Sequence, residues 1–450
     1  MERLTGILSR ILPQRIVQPV IIRAVPGRLR EIAEELLPYS FEVARRLVDR
    51  FFPVELPFFF PRFLEIPRFN MLAAVLPREV IEDYAEDSRV ARIYPDRLMF
   101  ALQYPTVPPE GIFVAERRIR EKKKITFTST FWTKKLIGAD KANEKGYTGK
   151  GVKVAVLDTG SSALHEALRG RLEYPVGSAY PLPTMDMNGH GTWCASCIGG
   201  RRVIDDVLSR MSGKTVTCEG VAPEATVVPI KVLDFVVGMG SDSSIIKGVE
   251  QALNHGVDGL SMSLGGESKE EEEEEDPYFE VFKEVKRINV IPVVAAGNSG
   301  PDENTVGTPG CITDVLTVGA YDPITGEIAK YSSRGPTNWG SVKPDCIAPG
   351  GGYPENAIDG PIVNMLDMAG DSVENRFSPI QGTSMATPHV AGLIALMFQL
   401  YGSIGRTLTL DEIKRMLEQL GHDKTNEDGW GLISWDMVER WVETEYGVRV

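Results

Sequence analysis

The sequence predicts an α/β protein: a doubly wound, mostly parallel sheet preceded by a small α+β unit. Three observations indicate this fold. After residue 131, short apolar runs alternate with helical patterns, which is typical of βαβ units. Before residue 103 the order is strand, helix, strand, helix, strand, which is typical of an α+β unit. The charged stretch EKKK at 121–124 indicates an exposed linker between them.

The small unit is predicted over residues 1–102. Its elements follow from apolar periodicity: strands over 17–25, 69–77 and 91–102, and helices over 27–37 and 78–90. Between its halves, residues 51–64 hold three prolines and six phenylalanines. Because proline excludes a regular helix, we interpret this segment as an inserted loop that packs on the small unit; membrane contact is the alternative.

The larger unit is predicted over 131–450, and 103–130 is the linker. Its elements are strands over 152–160, 225–233, 258–266, 289–300 and 314–320, and helices over 243–256 and 276–289. Active sites in doubly wound sheets lie at the carboxyl ends of strands. We therefore expect functional residues where these strands end.

Charge and composition exclude some functions. The net charge is −13, which argues against nucleic-acid binding because phosphate contacts need clustered Lys and Arg. Residues 1–130 carry a net +4 and residues 131–450 a net −17. Opposite charges favour docking of the two parts, although unrelated drift of two surfaces would give the same pattern.

Membrane and compartment signals are weak. No run of 18 apolar residues occurs, so we expect no membrane span. Arg10 interrupts the first apolar stretch, so a secretory signal is not evident and a cytoplasmic location is favoured over export. Five cysteines, an odd number, fit a reducing compartment; one or two disulfides with a free thiol are the alternative.

Three short segments supply the groups that acyl transfer to a serine needs. Asp158 ends the apolar strand VAVLD, His190 lies between two glycines in NGHGT, and Ser384 precedes a small-residue helix in GTSMATPHVAG. A carboxylate orients a histidine, the histidine takes the serine proton, and the helix start offers N–H groups to an oxyanion. Taken singly, each residue has a structural interpretation: a turn aspartate, a structural histidine and a helix N-cap serine.

Together the three blocks point to one family. The chain order Asp, His, Ser differs from the chymotrypsin and α/β-hydrolase orders. VAVLDTG, NGHGT and GTSMATPHVAG resemble the signature blocks of the subtilisin-like serine proteases, the subtilase family, and the resemblance covers residues 131–450. It implies a serine endopeptidase in which Ser384 attacks, His190 transfers protons and Asp158 orients the imidazole.

The resemblance also assigns roles to other residues. AAGNSG (295–300) is similar to the family's oxyanion segment, which implies that Asn298 donates from its side chain beside the N–H of Ser384. The implied substrate-binding residues are Ser263, Leu264 and Gly265 on a strand edge, and Ala295 and Gly307 in the primary specificity pocket. Backbone pairing suits broad specificity, and Gly307 suggests a deep pocket for a large apolar residue before the scissile bond.

Residues 1–102 resemble the family's propeptide, a small domain that aids folding and then blocks the cleft. The implied partners are therefore polypeptide substrates and the chain's own propeptide, with self-cleavage in a maturation region over 103–130. The cut is left open between the strand end near residue 102 and the EKKK linker.

Seven consecutive acidic residues, Glu270–Asp276, follow the substrate-binding strand. The simplest interpretation is a solvated loop whose last acids favour the next helix start. The alternative is an acidic rim that favours basic substrates or binds Ca²⁺. The chemistry requires no cofactor, and structural Ca²⁺ stays open because 198–219 does not resemble the family's usual calcium loop.

Cys194 lies four residues after His190, so its thiol should lie near the catalytic imidazole. Mercurials should then inhibit, and Cys194→Ser should abolish that sensitivity. Cys197 completes a C-x-x-C pair, but zinc would need two more ligands. Buried unpaired thiols are the favoured interpretation.

Two other functions remain open on the sequence. The same acyl-enzyme could pass its acyl group to an amine, which would make the chain a peptide ligase. A catalytically silent fold could instead serve as a binding module. The presence of Asp158, His190, Asn298 and Ser384 together argues against the silent module.

Overall fold

A computed structural model describes residues 17–39, 63–102, 128–174, 185–233, 238–352, 356–363 and 375–450. Most of the predicted linker, and residues 51–62 of the Phe- and Pro-rich segment, lie outside the described residues. None of the helices in the described part of the chain is both long and apolar enough to cross a membrane.

The N-terminal region folds as an antiparallel sheet with helices on one face. In chain order it contains β1 (Val17–Ala24), α1 (29–39), β2 (Phe63–Ile66), β3 (Met71–Pro77), α2 (Arg78–Ala85) and β4 (Val90–Pro95). The strand order is β2-β3-β1-β4. Side chains such as Ile22 and Leu72 pack against Ile32 and Leu36 of α1. Because side chains alternate along a strand, Ile21 and Met71 face the other side, where they join the core of the larger region.

The structure differs from the sequence prediction at two places in this unit. Residues 63 and 64, the last two of the predicted loop 51–64, belong to β2. The single strand predicted over 91–102 is two strands, with Asp96 and Arg97 between them. The second, β5 (Leu98–Ala101), leaves the N-terminal sheet and pairs antiparallel with β11 (Met239–Ser241) and β13 (Leu264–Gly265). The reason is hydrogen bonding: these two strands, distant in the sequence, satisfy the backbone of β5.

The larger region is built on a six-stranded parallel sheet. Its strands are β7 (Lys153–Asp158), β10 (Thr226–Lys231), β12 (Gly259–Met262), β14 (Ile291–Ala295), β15 (Leu316–Tyr321) and β16 (Cys346–Pro349), in the order β10-β7-β12-β14-β15-β16. Short apolar runs form these strands because both faces of the sheet are buried. The predicted doubly wound α/β class is confirmed.

Helices cover both faces. The helices are α3 (Thr130–Leu136), α4 (Ala139–Glu144), α5 (His190–Gly199), α6 (Asp206–Ser212), α7 (Asp242–Asn254), α8 (Tyr278–Arg287), α9 (Thr383–Ser403), α10 (Leu410–Leu420) and α11 (Trp435–Tyr446). Helices α5 and α9 pack in one core with Val154 and Val156 of β7. Helices α7 and α8 pack in the other with Ala155 and Leu157.

The remaining strands form two small sheets. They are β6 (Thr128–Ser129), β17 (Ile358–Pro361) and β18 (Phe377–Ile380), in the order β18-β17-β6, and the hairpin of β8 (Val203–Asp205) with β9 (Val216–Cys218). The hairpin and α6 occupy most of the 198–219 stretch. There, the Asp205 carboxylate accepts from Leu208 N–H and so caps α6.

The N-terminal region packs on α7 and α8. Arg23 pairs with Glu280 at 3.1 Å and Arg68 with Glu284 at 3.7 Å. In each pair the cation comes from the net-positive part of the chain and the anion from the net-negative part. The charge asymmetry of the sequence is therefore used, at least in part, where the two regions meet.

Candidate active site

Asp158 and His190 lie together at the carboxyl end of β7. His190 Nδ1 is 2.8 Å from Asp158 Oδ1 and 2.9 Å from Oδ2, and both side chains are fully buried. Asp158 Oδ1 also accepts from the N–H of Thr159. A carboxylate in this position holds the imidazole with Nδ1 protonated and leaves Nε2 as the proton acceptor. Nε2 has no hydrogen-bond partner within the described residues.

Ser384 is the second residue of α9 and is also buried. Its Oγ donates to the carbonyl of Ser263 at 2.9 Å, and Ser263 Oγ donates back to the Ser384 carbonyl at 2.9 Å. The serine hydroxyl is therefore held by β12–β13 backbone and not by His190. Proton transfer to Nε2 requires the hydroxyl to leave that carbonyl.

Two donors stand at the start of α9. Asn298 Oδ1 accepts from Thr383 N–H and from Thr383 Oγ1, both at 2.9 Å. These two bonds commit the amide oxygen and leave Nδ2 as the donating group of this side chain. The Ser384 N–H, one of the first-turn amides that a helix leaves available, donates to the carbonyl of Leu102 at 3.3 Å.

The strand edge beside Ser384 carries a peptide segment. Leu264 pairs with Ala101 and Gly265 with Phe100, in antiparallel register. The Ser263 carbonyl accepts from Leu102 N–H at 3.2 Å. The edge that the sequence assigned to substrate backbone is thus occupied by the chain's own residues 98–102, which end with the Leu102 carbonyl at Ser384.

Comparison with known proteins decides the family. The model of the subtilase family matches residues 149–431. The chain is 36% identical over 304 residues to serine protease AprX of Bacillus subtilis, covering 64% of each protein. It is 31% identical over 290 residues to subtilisin DY of Bacillus licheniformis, covering 64% of this chain and 90% of that protein. It is 34% identical over 281 residues to the intracellular serine protease of Paenibacillus polymyxa, covering 60% and 73%.

The chain belongs to the subtilase family. It is therefore a serine endopeptidase by class, and the family predicted from its three sequence blocks is confirmed. The match lies within the larger region, where the parallel sheet brings Asp158, His190 and Ser384 to one end.

Of the two residues predicted for the specificity pocket of this subtilase, Gly307 packs against Gly266, next to the strand edge that pairs with residues 100–101. Ala295 ends β14 and is buried. A Cβ on Gly307 would lie 2.2 Å from the Gly266 carbonyl oxygen, so glycine is needed there for close backbone approach. A Cβ on Gly265 would lie 3.0 Å from Leu102 Cδ1. Close backbone packing therefore explains the glycine at position 307, which by itself does not indicate a deep pocket.

Asp186, which the sequence patterns did not single out, shapes the loop before His190. Its Oδ1 accepts from the N–H groups of Asn188 and Gly189, and its Oδ2 from Thr192 N–H and Oγ1, at 2.6–3.0 Å. Burial raises the pKa of this carboxyl. An aspartate four residues before a helix-starting histidine was the available signal, since short acidic side chains favour helix N-termini.

Gly191 explains why the helix of His190 sits so close to β7. A Cβ on Gly191 would lie 2.0 Å from the Gly160 carbonyl oxygen and 3.1 Å from Asp158 Oδ1. Only glycine permits this approach. The glycine predicted to leave the histidine ring unobstructed thus permits the close approach of α5 to the end of β7.

All five cysteines are buried and free, as the favoured interpretation predicted. Cys194 Sγ lies 3.9 Å from His190 Nδ1 and 3.7 Å from the Ser384 carbonyl oxygen. Burial holds the pKa of this thiol well above its usual range. Cys197 instead contacts His389 Nδ1 at 3.4 Å, so the C-x-x-C pair serves two different neighbours and does not form a zinc site.

The acidic segment 270–276 is not simply solvated. Glu270 and Asp276 bind Arg97 at 2.7 and 3.1 Å, and Glu273 accepts from Thr313 N–H and Oγ1. Asp276 also accepts from Tyr278 N–H at the start of α8, as the simplest interpretation predicted for the last acid. Within the described residues, no trio of His, Cys, Asp or Glu other than Asp158, His190 and Cys194 brings its ligand atoms within 4.8 Å of one another. Because the Asp158–His190 bond accounts for that trio, it does not favour a metal.

Proposed function

We propose that this subtilase is a self-processing zymogen: Ser384 cuts the chain after Leu102, and residues 1–102 then act as its inhibitor. One observation carries the proposal. The Leu102 carbonyl accepts from the Ser384 N–H at 3.3 Å, where the developing oxyanion of a scissile carbonyl would be stabilised. This contact favours the strand end at Leu102 over the EKKK linker as the cleavage site.

The segment before Leu102 binds as a substrate would. Strand β5 lies between β11 and β13 in a three-stranded sheet. Ala101 N–H donates to the Gly238 carbonyl at 2.8 Å, and Leu102 N–H to the Ser263 carbonyl at 3.2 Å. Backbone pairing of this kind accepts many extended sequences, which supports a broad endopeptidase.

The chemistry follows from the atoms around Leu102. Ser384 Oγ attacks the Leu102 carbonyl carbon as His190 Nε2 takes its proton, and Asp158 stabilises the imidazolium. The Ser384 N–H and Asn298 Nδ2 stabilise the oxyanion. The Leu102–Gln103 bond then breaks, His190 protonates the leaving amine, and water hydrolyses the acyl-enzyme to release the Leu102 carboxylate.

The N-terminal region has the contacts that an inhibitor needs after cleavage. Asp96 accepts from Ser243 N–H and Oγ at 3.0 and 2.6 Å. Arg68 N–H donates to Glu250 Oε1 at 2.8 Å. These contacts, with the shared core of β1, β3, α7 and α8, would hold β5 in the cleft when its covalent link is lost.

The side chain of Leu102 supports a preference for large apolar residues before the scissile bond. It is buried, and its Cδ1 lies 3.0 Å from the position that a Cβ on Gly265 would take. Burying a leucine side chain contributes about 1.5–3 kcal/mol, so a charged residue in its place should be cleaved far more slowly.

The experiment labels purified protein with a fluorophosphonate probe. Wild type should label, Ser384→Ala should not, and Ser403→Ala, a matched change at the far end of α9, should label like wild type. Labelling of Ser384→Ala would contradict the assignment of the nucleophile. Absence of labelling in wild type, even after heat or mild proteolysis to free the cleft, would contradict the enzymatic proposal.

A further inference from the structure

Beside the groove that holds β5, the Arg97 side chain of the N-terminal region is bound by three carboxylates of the larger region. We infer that Asp242, Glu270 and Asp276 form a substrate subsite for an arginine six residues before the scissile bond, counting Leu102 as the first. The inference rests on the proposed function, because it treats residues 97–102 as a substrate-like segment. It names a sequence preference that the backbone pairing alone does not provide.

Each nitrogen of the guanidinium has its own carboxylate. Arg97 Nε lies 2.7 Å from Asp242 Oδ2, Nη1 lies 2.7 Å from Glu270 Oε2, and Nη2 lies 3.1 Å from Asp276 Oδ2. The Arg97 side chain is 14% exposed, and those of the two aspartates are 0% exposed. Arginine presents a planar fork of donors, whereas lysine presents a single charged centre. The arrangement therefore selects arginine over lysine.

Asp242 and Asp276, two of the three residues, are positioned by the larger region itself. Asp242 is the first residue of α7, whose N-cap Ser241 accepts from Ser244 N–H. Asp276 Oδ1 accepts from Tyr278 N–H at 2.9 Å, which leaves Oδ2 for the guanidinium. Because these bonds do not involve the N-terminal region, the subsite is built into the part of the chain that would remain after cleavage.

The buried carboxylates of the subsite favour binding of a cation. Burial raises the pKa of Asp276 to about 6 and also raises that of Asp242, while the Arg97 charge opposes both shifts. Buried carboxylates without a cationic partner are costly. A peptide that carries arginine to this position would restore the ion pairs lost when Arg97 leaves.

The backbone places the sixth residue of a bound peptide at this subsite. Asp242 N–H donates to the Arg97 carbonyl at 3.0 Å, and Arg97 N–H donates to Asp242 Oδ2 at 3.2 Å. The register continues with Leu98 opposite Ser241 and Phe100 opposite Met239. A peptide with its scissile carbonyl at Ser384 and the same register therefore brings its sixth side chain to the three carboxylates.

A single metal ion fits the subsite less well than a guanidinium. The Arg97-binding carboxylates are not among the described groups of three ligand atoms that lie within 4.8 Å of one another. Each of the three carboxylates instead faces a different nitrogen of the Arg97 guanidinium, an arrangement that suits a planar fork of donors.

The test compares fluorogenic peptides on enzyme processed from the full chain, with active sites counted by fluorophosphonate titration. The peptides are Arg-Leu-Met-Phe-Ala-Leu-coumarin amide and its Lys and Gln analogues at the first position. We expect kcat/KM to be about 10- to 100-fold higher for Arg than for Gln, with Lys between them.

Two matched variants test whether the preference for arginine comes from the subsite. Glu270→Gln should reduce the Arg-to-Gln ratio at least threefold, whereas Glu271→Gln, an exposed neighbour in the same acidic run, should leave the ratio unchanged. A ratio near one in wild type, or the same ratio in both variants, would overturn the inference while leaving the proposed endopeptidase intact.

A second measurement tests the subsite without catalysis. Hydrogen exchange is followed for residues 97–102 of the full chain in the Ser384→Ala background. Exchange should be about tenfold or more faster with Arg97→Gln than with Arg78→Gln, because the Arg78 side chain pairs with Glu82 on its own helix. Equal exchange would overturn the subsite. If no peptide is hydrolysed, the proposed function fails and this measurement alone decides the inference.

Discussion

Two buried ion clusters of this subtilase have opposite charge patterns. One guanidinium, that of Arg97, is bound by three carboxylates. One carboxylate, that of Asp345, lies 2.7–3.7 Å from Lys343, Lys414 and Lys424. Burial acts to raise the pKa of Asp345, but the three ammonium groups outweigh it and hold that pKa well below its usual range.

The clusters differ in where their partners come from. All members of the Asp345 cluster belong to the larger region, so they stay together for as long as that region is folded. The cation of the Arg97 cluster comes from the N-terminal region, on the other side of the proposed cleavage site. The Asp345 cluster can therefore only stabilise the larger region, whereas the proposed subsite can exchange Arg97 for a cation of another peptide. The following predictions test that distinction.

The largest expected effect is on the Asp345 cluster. Asp345→Asn would leave the Lys343 ammonium, which is 3% exposed, without its carboxylate. Removing one partner of a buried ion pair costs about 3–5 kcal/mol, and we expect the free energy of unfolding to fall by that amount. Urea denaturation in the Ser384→Ala background measures it. Asp302→Asn, an exposed change of the same kind, should alter it by less than about 0.5 kcal/mol.

The next expected effect is smaller and concerns whether each cluster needs the shape of its cation as well as the charge. Arg97→Lys keeps the charge but loses the planar fork of donors. On a logarithmic scale of exchange rates for residues 97–102, it should therefore restore less than half of the protection that Arg97→Gln removes. Lys424 Nζ contacts a single oxygen, Asp345 Oδ1, so Lys424→Arg should leave the free energy of unfolding within about 0.5 kcal/mol. Full rescue by Arg97→Lys would mean that charge alone holds the segment.

The smallest expected effect is a pH dependence of the Arg97 cluster. Burial raises the pKa of Asp276 to about 6 although Arg97 opposes the shift. If the larger region alone keeps Asp276 buried, loss of the Arg97 charge raises this pKa further. The docked pKa is thus below the undocked one. This contribution to docking is present at pH 7 and is lost as the pH falls through about 6. The Asp345 carboxyl, with its lowered pKa, stays ionised over the same range.

Asp96 makes docking depend on pH in the opposite direction. The effect of Asp276 is therefore measured in a variant that lacks the Asp96 carboxylate. Burial raises the pKa of Asp96 to about 7, so its contribution to docking is full below about pH 4 and is lost as the pH rises through 7. In an Asp96→Asn background, exchange of residues 97–102, corrected for intrinsic rates, should therefore speed up between pH 7 and pH 5. A slowdown in that background would contradict the role given to Asp276.

The sequence predicts the parts of this molecule that depend on local patterns. The apolar runs of β7, β10 and β14 identify a parallel sheet because both of its faces are buried. The blocks around Asp158, His190 and Ser384 place three residues at strand ends or helix starts, and the structure brings Asp158 and His190 into contact. These features follow from neighbouring residues.

The features that the sequence does not reveal depend on distant partners. The run 91–102 has the pattern of one strand, yet its second part, β5, pairs with β11 and β13, which are distant in the sequence. The acidic run has the composition of a solvated loop, but Arg97 neutralises two of its members. Such contacts follow from the docking of two regions, which local periodicity does not encode.

The most direct test of the account is the mass and N-terminal sequence of purified wild type and Ser384→Ala. We expect wild type to yield a fragment ending at Leu102 and another beginning at Gln103, whereas Ser384→Ala stays intact. Cleavage of wild type within 121–124, or an intact wild-type chain in a preparation that reacts with a fluorophosphonate, would contradict cleavage at the carbonyl that Ser384 holds.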